Sequence, residues 1–222
     1  CNYIKSFIVN DLENNGFSEK VELSEKCFLD AGKLNEVKIA ANDINIGSRC
    51  FNGCKSINSF IISQLENNVI AKTLKLSEHC FSKLNGLISI DITANDIEFG
   101  SNCFNGSTLQ NVILHCKNAT IGDNCFKGCH SINSVTITGI EKENSRNEKG
   151  AKKIYIGDNC FKGATSLQKV RFYGSSVNIS NQCFNNCISL QSFSIDQSTS
   201  ISIGSKQFIE CQNLKTIFID IT

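Results

Sequence analysis

Apolar residues along this chain follow a compound cycle, neither a helical stripe nor a plain alternation. Residues 121–137 show it, with Ile121, Cys125, Phe126, Cys129, Ile132, Val135 and Ile137 separated by polar residues and glycines. The cycle reads Φ-x-Φ-Gly/Ser-x-x-Cys-Phe-x-x-small-x-x-Leu/Ile-x-x-Φ-x-Φ, where Φ is apolar, and it recurs over residues 154–172, 177–195 and 201–219. Its anchors are Cys27-Phe28, Cys50-Phe51, Cys80-Phe81, Cys103-Phe104, Cys125-Phe126, Cys160-Phe161, Cys183-Phe184 and a variant Gln207-Phe208. Successive anchors lie 23, 30, 23, 22, 35, 23 and 24 residues apart. Self-similarity at such a period marks a solenoid, whose units cannot bury a core alone and must stack.

Two extended pieces are predicted per unit. The Leu/Ile-x-x-Φ-x-Φ half is a short strand with its outer Φ residues inward and the middle residue on the surface, as in Val135-Thr136-Ile137. The Φ-x-Φ-Gly/Ser half, such as Ile44-Asn45-Ile46-Gly47, is the second. Gly or Ser there permits a sharp bend, and an Asp or Ser after it can cap the following turn. Cys-Phe-x-x-Cys fits one helical turn with positions i, i+1 and i+4 inward. Each unit then buries about six or seven side chains, at roughly 1.5 to 3 kcal/mol for the large ones. The recurring phenylalanines Phe28, Phe51, Phe81, Phe104, Phe126, Phe161, Phe184 and Phe208 would form an aromatic spine.

The predicted organisation is a single solenoid over residues 1–222, a half repeat at 1–9 followed by eight units. Cys1, Ile4, Phe7 and Val9 match Cys54, Ile57, Phe60 and Ile62, so the chain opens inside a repeat. A long and a short unit were copied together, because Leu12, Cys27, Ala41 and Cys50 recur at an offset of 53. Three stretches exceed what the coil needs: residues 10–20, 63–73 and 139–153, the last a polar, charged surface loop.

The unit IGDNCFKGCHSINSVTI resembles the BspA-like leucine-rich repeats, also called the Treponema pallidum type, whose units usually read IGxxAFxxCxxLxxIxIP. The similarity spans the chain outside the three loops. Here Cys replaces the common Ala before Phe, and the strand-ending Pro is absent. The resemblance implies a β-rich leucine-rich-repeat superhelix of units of about 23 residues, each with a short parallel strand, a turn of helix and a second extended segment. That family is found on bacterial and protist surfaces and is associated with attachment to host proteins and other cells. It therefore implies a non-enzymatic protein at the cell surface or secreted.

Charge narrows the partner class. Lys and Arg total 22 against 21 Asp and Glu, a net charge of +1, which lacks the basic excess of a nucleic-acid binder. No stretch reaches the roughly 18 to 20 apolar residues of a membrane span. Pro, Met and Trp are absent, and a chain without Met at position 1 is a processed product or a piece of something longer.

Cysteine, at 13, is abundant and odd in number. Seven precede a spine Phe, and Cys1, Cys54, Cys129, Cys187 and Cys211 occupy a second core phase, leaving only Cys116 outside both. This phasing favours a ladder of buried free thiols. Neighbouring coils place equivalent atoms about 4.7 to 5 Å apart, whereas a disulfide wants Cβ atoms near 3.8 Å. Zinc would need further ligands at tetrahedral spacing, and redox catalysis would need CxxC. His79, His115 and His130 each adjoin a Cys, but sequence neighbours on an extended segment point apart, so solvent-facing histidine is expected. No catalytic site, cofactor or metal is expected. Free thiols suit a reducing compartment, so a cytoplasmic location stands as the alternative to the surface.

The outward middle residues of the main strands are the candidate partner-binding set: Lys38, Ile61, Asp91, Ile113, Thr136, Arg171, Ser194 and Phe218, with Ile8 continuing the row. Ile61, Ile113 and Phe218 would be exposed apolar anchors on a concave face, where solenoids engage large partners. A Ser-rich parallel row looks like a uniform solvated face. Asn105, Asn118 and Asn178 begin N-x-S/T sequences and are candidate glycosylation sites. The reading is adhesion or protein–protein binding through the concave face and loops, to a protein of a host, a neighbouring cell or a second copy. The alternative is a structural subunit that self-assembles end to end or laterally.

Overall fold

A computed structural model describes residues 3–9, 18–62, 70–140 and 150–221. Cys1 and residues 10–17, 63–69 and 141–149, most of the three predicted loops, lie outside the described residues. Period-2 alternation in each half-unit yields two stacks of parallel strands. The main side carries β1 (Ser6–Val9), β3 (Glu36–Ile39), β5 (Ser59–Ile62), the first half of β7 (Ser89–Phe99), β8 (Asn111–His115), β10 (Ser134–Thr138), the first half of β12 (Lys169–Ile179), β13 (Ser192–Ser198) and β15 (Thr216–Ile221). The second side carries β2 (Ser18–Leu23), β4 (Ala41–Ile46), β6 (Ala71–Leu76), β9 (Asn118–Ile121), β11 (Ala151–Ile156), β14 (Ser200–Ile203) and the distal halves of β7 and β12.

Every pairing is parallel, and equivalent repeat positions face each other, for example Val135 with Val112 on one side and Val170 on the other. That register buries the Φ set of the central coils, with Ile90, Ile92, Leu114, Ile137, Ile154 and Val177 each at most 1% exposed, while Ile203, Ile217 and Ile219 near residue 222 stay 38 to 51% exposed. The main side is interrupted once. β1, β3 and β5 form a three-stranded sheet, and no pairing links β5 to β7, from which the larger sheet runs on.

The Phe spine is present. Phe28, Phe51, Phe81, Phe104, Phe126, Phe161, Phe184 and Phe208 stack in sequence with centroids 5.1 to 5.8 Å apart and planes within 17° of parallel.

The predicted turn of helix is not there; the described residues contain no helix. Cys-Phe-x-x-Cys instead forms successive β-turns, closed in the central coil by Cys125 N–H to Gly122 O, Lys127 N–H to Asn124 O and Cys129 N–H to Phe126 O. The intervening N–H groups of Asn124, Phe126 and Gly128 donate to the next coil, at Asp158, Cys160 and Lys162. A helix would have spent those donors internally and left the stack unbonded on this side. Two left-handed residues per coil permit the alternation, such as Asn124 at φ 54° and Gly128 at φ 69°.

Two smaller expectations also change. The Gly at the end of the second strand answers close approach more than bending, because a Cβ on Gly122 would lie 2.8 Å from backbone atoms of Gly100 and Ser101. The Asp after it caps across coils. Asp123 Oδ1 accepts from Asp158 N–H at 2.8 Å, and Asp158 Oδ1 accepts from Asn181 N–H at 2.7 Å.

Candidate partner-binding face

The candidate residues form ordered rows on the main side. Pairing aligns Ile8 with Lys38 and Lys38 with Ile61 on the three-stranded sheet. On the larger sheet it aligns Asp91, Ile113, Thr136, Arg171, Ser194 and Phe218, one per strand. The gap between β5 and β7 leaves Ile61 and Asp91 without a shared ladder. Ile61 is 42% exposed and Phe218 52% exposed. Ile113 departs from expectation and is half-buried. It lies between two paired neighbours, whereas Ile61 and Phe218 sit on terminal strands of their sheets. Lys38, Thr136 and Ser194 are likewise half-buried, and Asp91 and Arg171 are exposed.

A further outward row, Thr93, His115, Thr138, Tyr173 and Asp196, was missed from sequence. It follows two residues after the first row, and pairing joins Thr93 to His115, His115 to Thr138, and Tyr173 to Asp196. Alternation alone could have found it, since it continues the strand past its second Φ residue. These two rows, with Gly139, Ile140 and Gly150 just before β11, bound a groove of about 520 Å³, lined by Thr136, Thr138, Ile140, Arg171, Tyr173 and Gln197, among others. Ala151–Lys153, expected in the loop, open β11 instead.

Its polar groups are partly committed to one another. Arg171 Nε donates to Asp196 Oδ2 at 2.6 Å, and its two terminal nitrogens have no hydrogen-bond partner among the described residues. Tyr173 Oη donates to Gln197 Oε1 at 2.7 Å. His115 Nε2 lies 3.6 Å from Asp91 Oδ1, an ion pair only when the ring is protonated. The groove therefore offers an anchored cation, hydroxyls and an aromatic ring, with Ile140 as an apolar wall.

The second side bears its own outward rows, also missed. Its first half is charged and internally matched. Lys20 meets Glu22 and Lys75 meets Glu98, both at 2.8 Å, while Thr73 donates to Asp43 at 2.7 Å and Asn118 to Asp96 at 2.6 Å. Exposed pairs of this kind contribute about 0 to 1 kcal/mol each. The row that runs on from Thr120 is uncharged, with Tyr155, Asn178 and Ser202 in register, beside the exposed Lys153 of β11.

Apart from Cys27, the described thiols sit where repeat phase places them, and none of those described is in a disulfide. Cys27 is exposed, Cys211 is half-buried, and the others are buried, Cys116 included. Burial pushes the Cys50, Cys116 and Cys183 thiols up to about 12 and Cys54 and Cys129 to about 11. It raises Cys103, Cys125 and Cys160 well above the usual range. Thiols held protonated are poor nucleophiles and poor metal ligands. The second-phase thiols serve the backbone instead. Cys54, Cys129, Cys187 and Cys211 each donate S–H to the carbonyl of a spine Phe in the preceding coil, at 2.9 to 3.2 Å. Among the described residues no group of three His, Cys, Asp or Glu is placed to hold a metal, and no helix is long and apolar enough to cross a membrane. His130 is exposed, and His79 and His115 are half-buried.

Comparison with known proteins agrees with this architecture. The chain matches the BspA type leucine rich repeat region in six copies, over residues 21–147 and 148–222. No curated protein matches it. Among solved structures, a leucine-rich repeat protein from Bacteroides ovatus aligns at 16% identity over 88% of this chain and 82% of that one, with a TM-score of 0.34, too loose a superposition to argue from. With its family profile spanning most of its length, the chain belongs to the BspA-type leucine-rich repeat family.

Proposed function

We propose that this chain is a non-enzymatic surface protein that mediates adhesion or protein–protein binding through the outward rows of its main sheet, anchored at the groove beside Arg171. The observation that carries the reading is a contrast between the inward and outward faces of the main-side strands. Inward positions repeat Val, Ile, Leu and Phe from coil to coil. The outward row instead reads Ile, Lys, Ile, Asp, Ile, Thr, Arg, Ser and Phe, a sequence that packing does not require. A varied row on a rigid parallel sheet suits a macromolecular partner, which gains register from the backbone ladder and specificity from the row. The two unengaged terminal nitrogens of Arg171 suit a carboxylate or carbonyl acceptor on that partner. Membership of a repeat family built for protein–protein contact, commonly at the surface or secreted, supports the same reading.

The test is capture of the purified chain on an array of extracellular-matrix proteins, cell-surface proteins and the chain itself. A partner held through the main sheet loses at least tenfold in affinity with Arg171→Glu, about 1.4 kcal/mol. It is indifferent to Lys127→Glu on the turn side. Capture that ignores Arg171→Glu and Ile61→Asp alike rejects this face. The second reading, self-assembly, rests on exposed apolar side chains along the coil, such as Ile61 at 42% and Ile88 at 56%. Concentration-dependent growth in light scattering would favour it, and a constant mass would reject it.

A further inference from the structure

The three N-x-S/T sequences fall in three different settings, and only one leaves its asparagine open. Asn105 sits half-buried in a turn, its Nδ2 donating to Asn102 Oδ1 at 3.3 Å. The serine of that sequence, Ser107, is 2% exposed and pairs with Cys129 Sγ at 3.4 Å. Asn118 is half-buried on β9 and donates to Asp96 at 2.6 Å, with Lys153 as its in-register neighbour on the other side. A sugar on its nitrogen would have to leave between that carboxylate and that amine. Asn178 is exposed on the distal half of β12, and its amide has no hydrogen-bond partner among the described residues.

The surroundings of Asn178 are also distinct. Ser176 flanks it on its own face of the strand, Ser180 follows just past the strand's end, and Ser202 is its neighbour on β14. Small side chains therefore leave room on three sides for a branched substituent. On the fourth side its in-register partner is Tyr155 of β11, 40% exposed. Ser180 Oγ, the hydroxyl of the same sequence, donates to Tyr155 Oη at 3.2 Å and ties the ring to Asn178's strand. In-register residues on paired strands lie about 4.8 Å apart, so the apolar face of a first sugar on Asn178 falls within reach of that ring.

We propose that Asn178 is the N-glycan acceptor of this chain, with Tyr155 as the platform for its first sugar. The donor is a polyprenyl-pyrophosphate-linked oligosaccharide in a secretory route. Asn178 Nδ2 forms the new bond to C1 of the sugar, the C1–O bond to pyrophosphate breaks, the nitrogen gives up one proton, and the lipid pyrophosphate leaves as the anion. The site is on the second side of the coil and does not depend on the docking face.

The test sends the full chain, with a secretory leader, through a eukaryotic cell and maps glycopeptides by mass spectrometry in secreted and retained material. Glycan on the Asn178 peptide of secreted protein is expected, with Asn105 and Asn118 largely bare. Enzymatic removal of the glycan should lower the melting temperature by roughly 2 to 4 °C, the shift of one aromatic-sized contact in a chain of this length. Tyr155→Ala should abolish that difference while leaving occupancy unchanged. A bare Asn178 in both fractions, or secreted protein modified chiefly at Asn105 or Asn118, overturns the acceptor assignment. A melting difference that survives Tyr155→Ala overturns the platform.

Discussion

Phe126→Ala tests the coil where it is best determined. Phe126 is 1% exposed and lies between Phe104 at 5.3 Å and Phe161 at 5.2 Å, with planes within 3° of parallel. Truncation removes a whole ring and leaves a cavity that two stacked neighbours on a hydrogen-bonded ladder cannot close. The expected cost is roughly 3 to 5 kcal/mol, or about 6 to 20 °C in melting temperature for a chain of this size. Phe208 is the internal control. It is half-buried, and within the spine it stacks on Phe184 alone, at 5.8 Å, so Phe208→Ala should cost only about 1 to 2 kcal/mol. Urea unfolding followed by circular dichroism gives both values. The central variant should also show a smaller m-value, because weakening one internal interface of a nearest-neighbour stack lets the two halves unfold separately. A Phe126→Ala cost no larger than that of Phe208→Ala, at an unchanged m-value, would refute the stacked-spine account.

Two further predictions concern the thiols. Under native conditions near pH 8, iodoacetamide should modify Cys27 first and Cys211 slowly, and should reach Cys103, Cys125 and Cys160 only after denaturation; rapid native labelling of Cys125 would sink the buried ladder. Alkaline stability has a defined sign, because a buried thiol titrates later when folded than when unfolded. The unfolded chain therefore holds fewer protons above the ordinary thiol value of about 8.5, so stability should fall from there toward about 11 to 12, where Cys54, Cys129, Cys50 and Cys116 titrate in the fold. Cys116→Ala should flatten that decline in pH-dependent melting, and an identical slope would argue against it.

Features that repeat were legible in the sequence, and features that depend on a neighbouring coil were not. Val135 and Ile137 could be placed inward because alternation is local, and Phe126 could be assigned to a spine because stacking copies its phase. The Cys-Phe-x-x-Cys segment misled, since residues i, i+1 and i+4 point inward in a helical turn and in a run of β-turns alike. What separates the two is where Asn124, Phe126 and Gly128 send their N–H groups, and the acceptors at Asp158, Cys160 and Lys162 are 34 residues along the chain. Asn124 and Gly128, types that tolerate positive φ, were a local hint. Lys26, Arg49 and His79 take the same left-handed conformation in other coils, at φ 57°, 55° and 56°, and hide it. The groove was missed for a related reason. Thr138, Tyr173 and Gln197 come together only once β10, β12 and β13 are in register.

Electrostatics separates the two faces of the coil. On the second side, Lys20, Lys75, Glu22 and Glu98 are paired with one another, so a partner would have to break existing pairs and desolvate both members. The main side is less settled. Lys38 and Lys169 have no ion-pair partner among the described residues, and Arg171 spends one nitrogen on Asp196 while keeping its two terminal nitrogens open. Charges already held in place but not satisfied are those a partner can engage without first dismantling the surface, and they cost little ordering entropy because the strand fixes their origin. A docked acceptor at Arg171 would therefore gain from a preorganised site, with the neighbouring Thr136, Thr138 and Tyr173 available to discriminate among acceptors. The same reasoning makes Asp196→Ala informative. It would free the guanidinium to move and should weaken partner binding even though it removes a negative charge from the groove, whereas a purely attractive role for net positive charge would strengthen it.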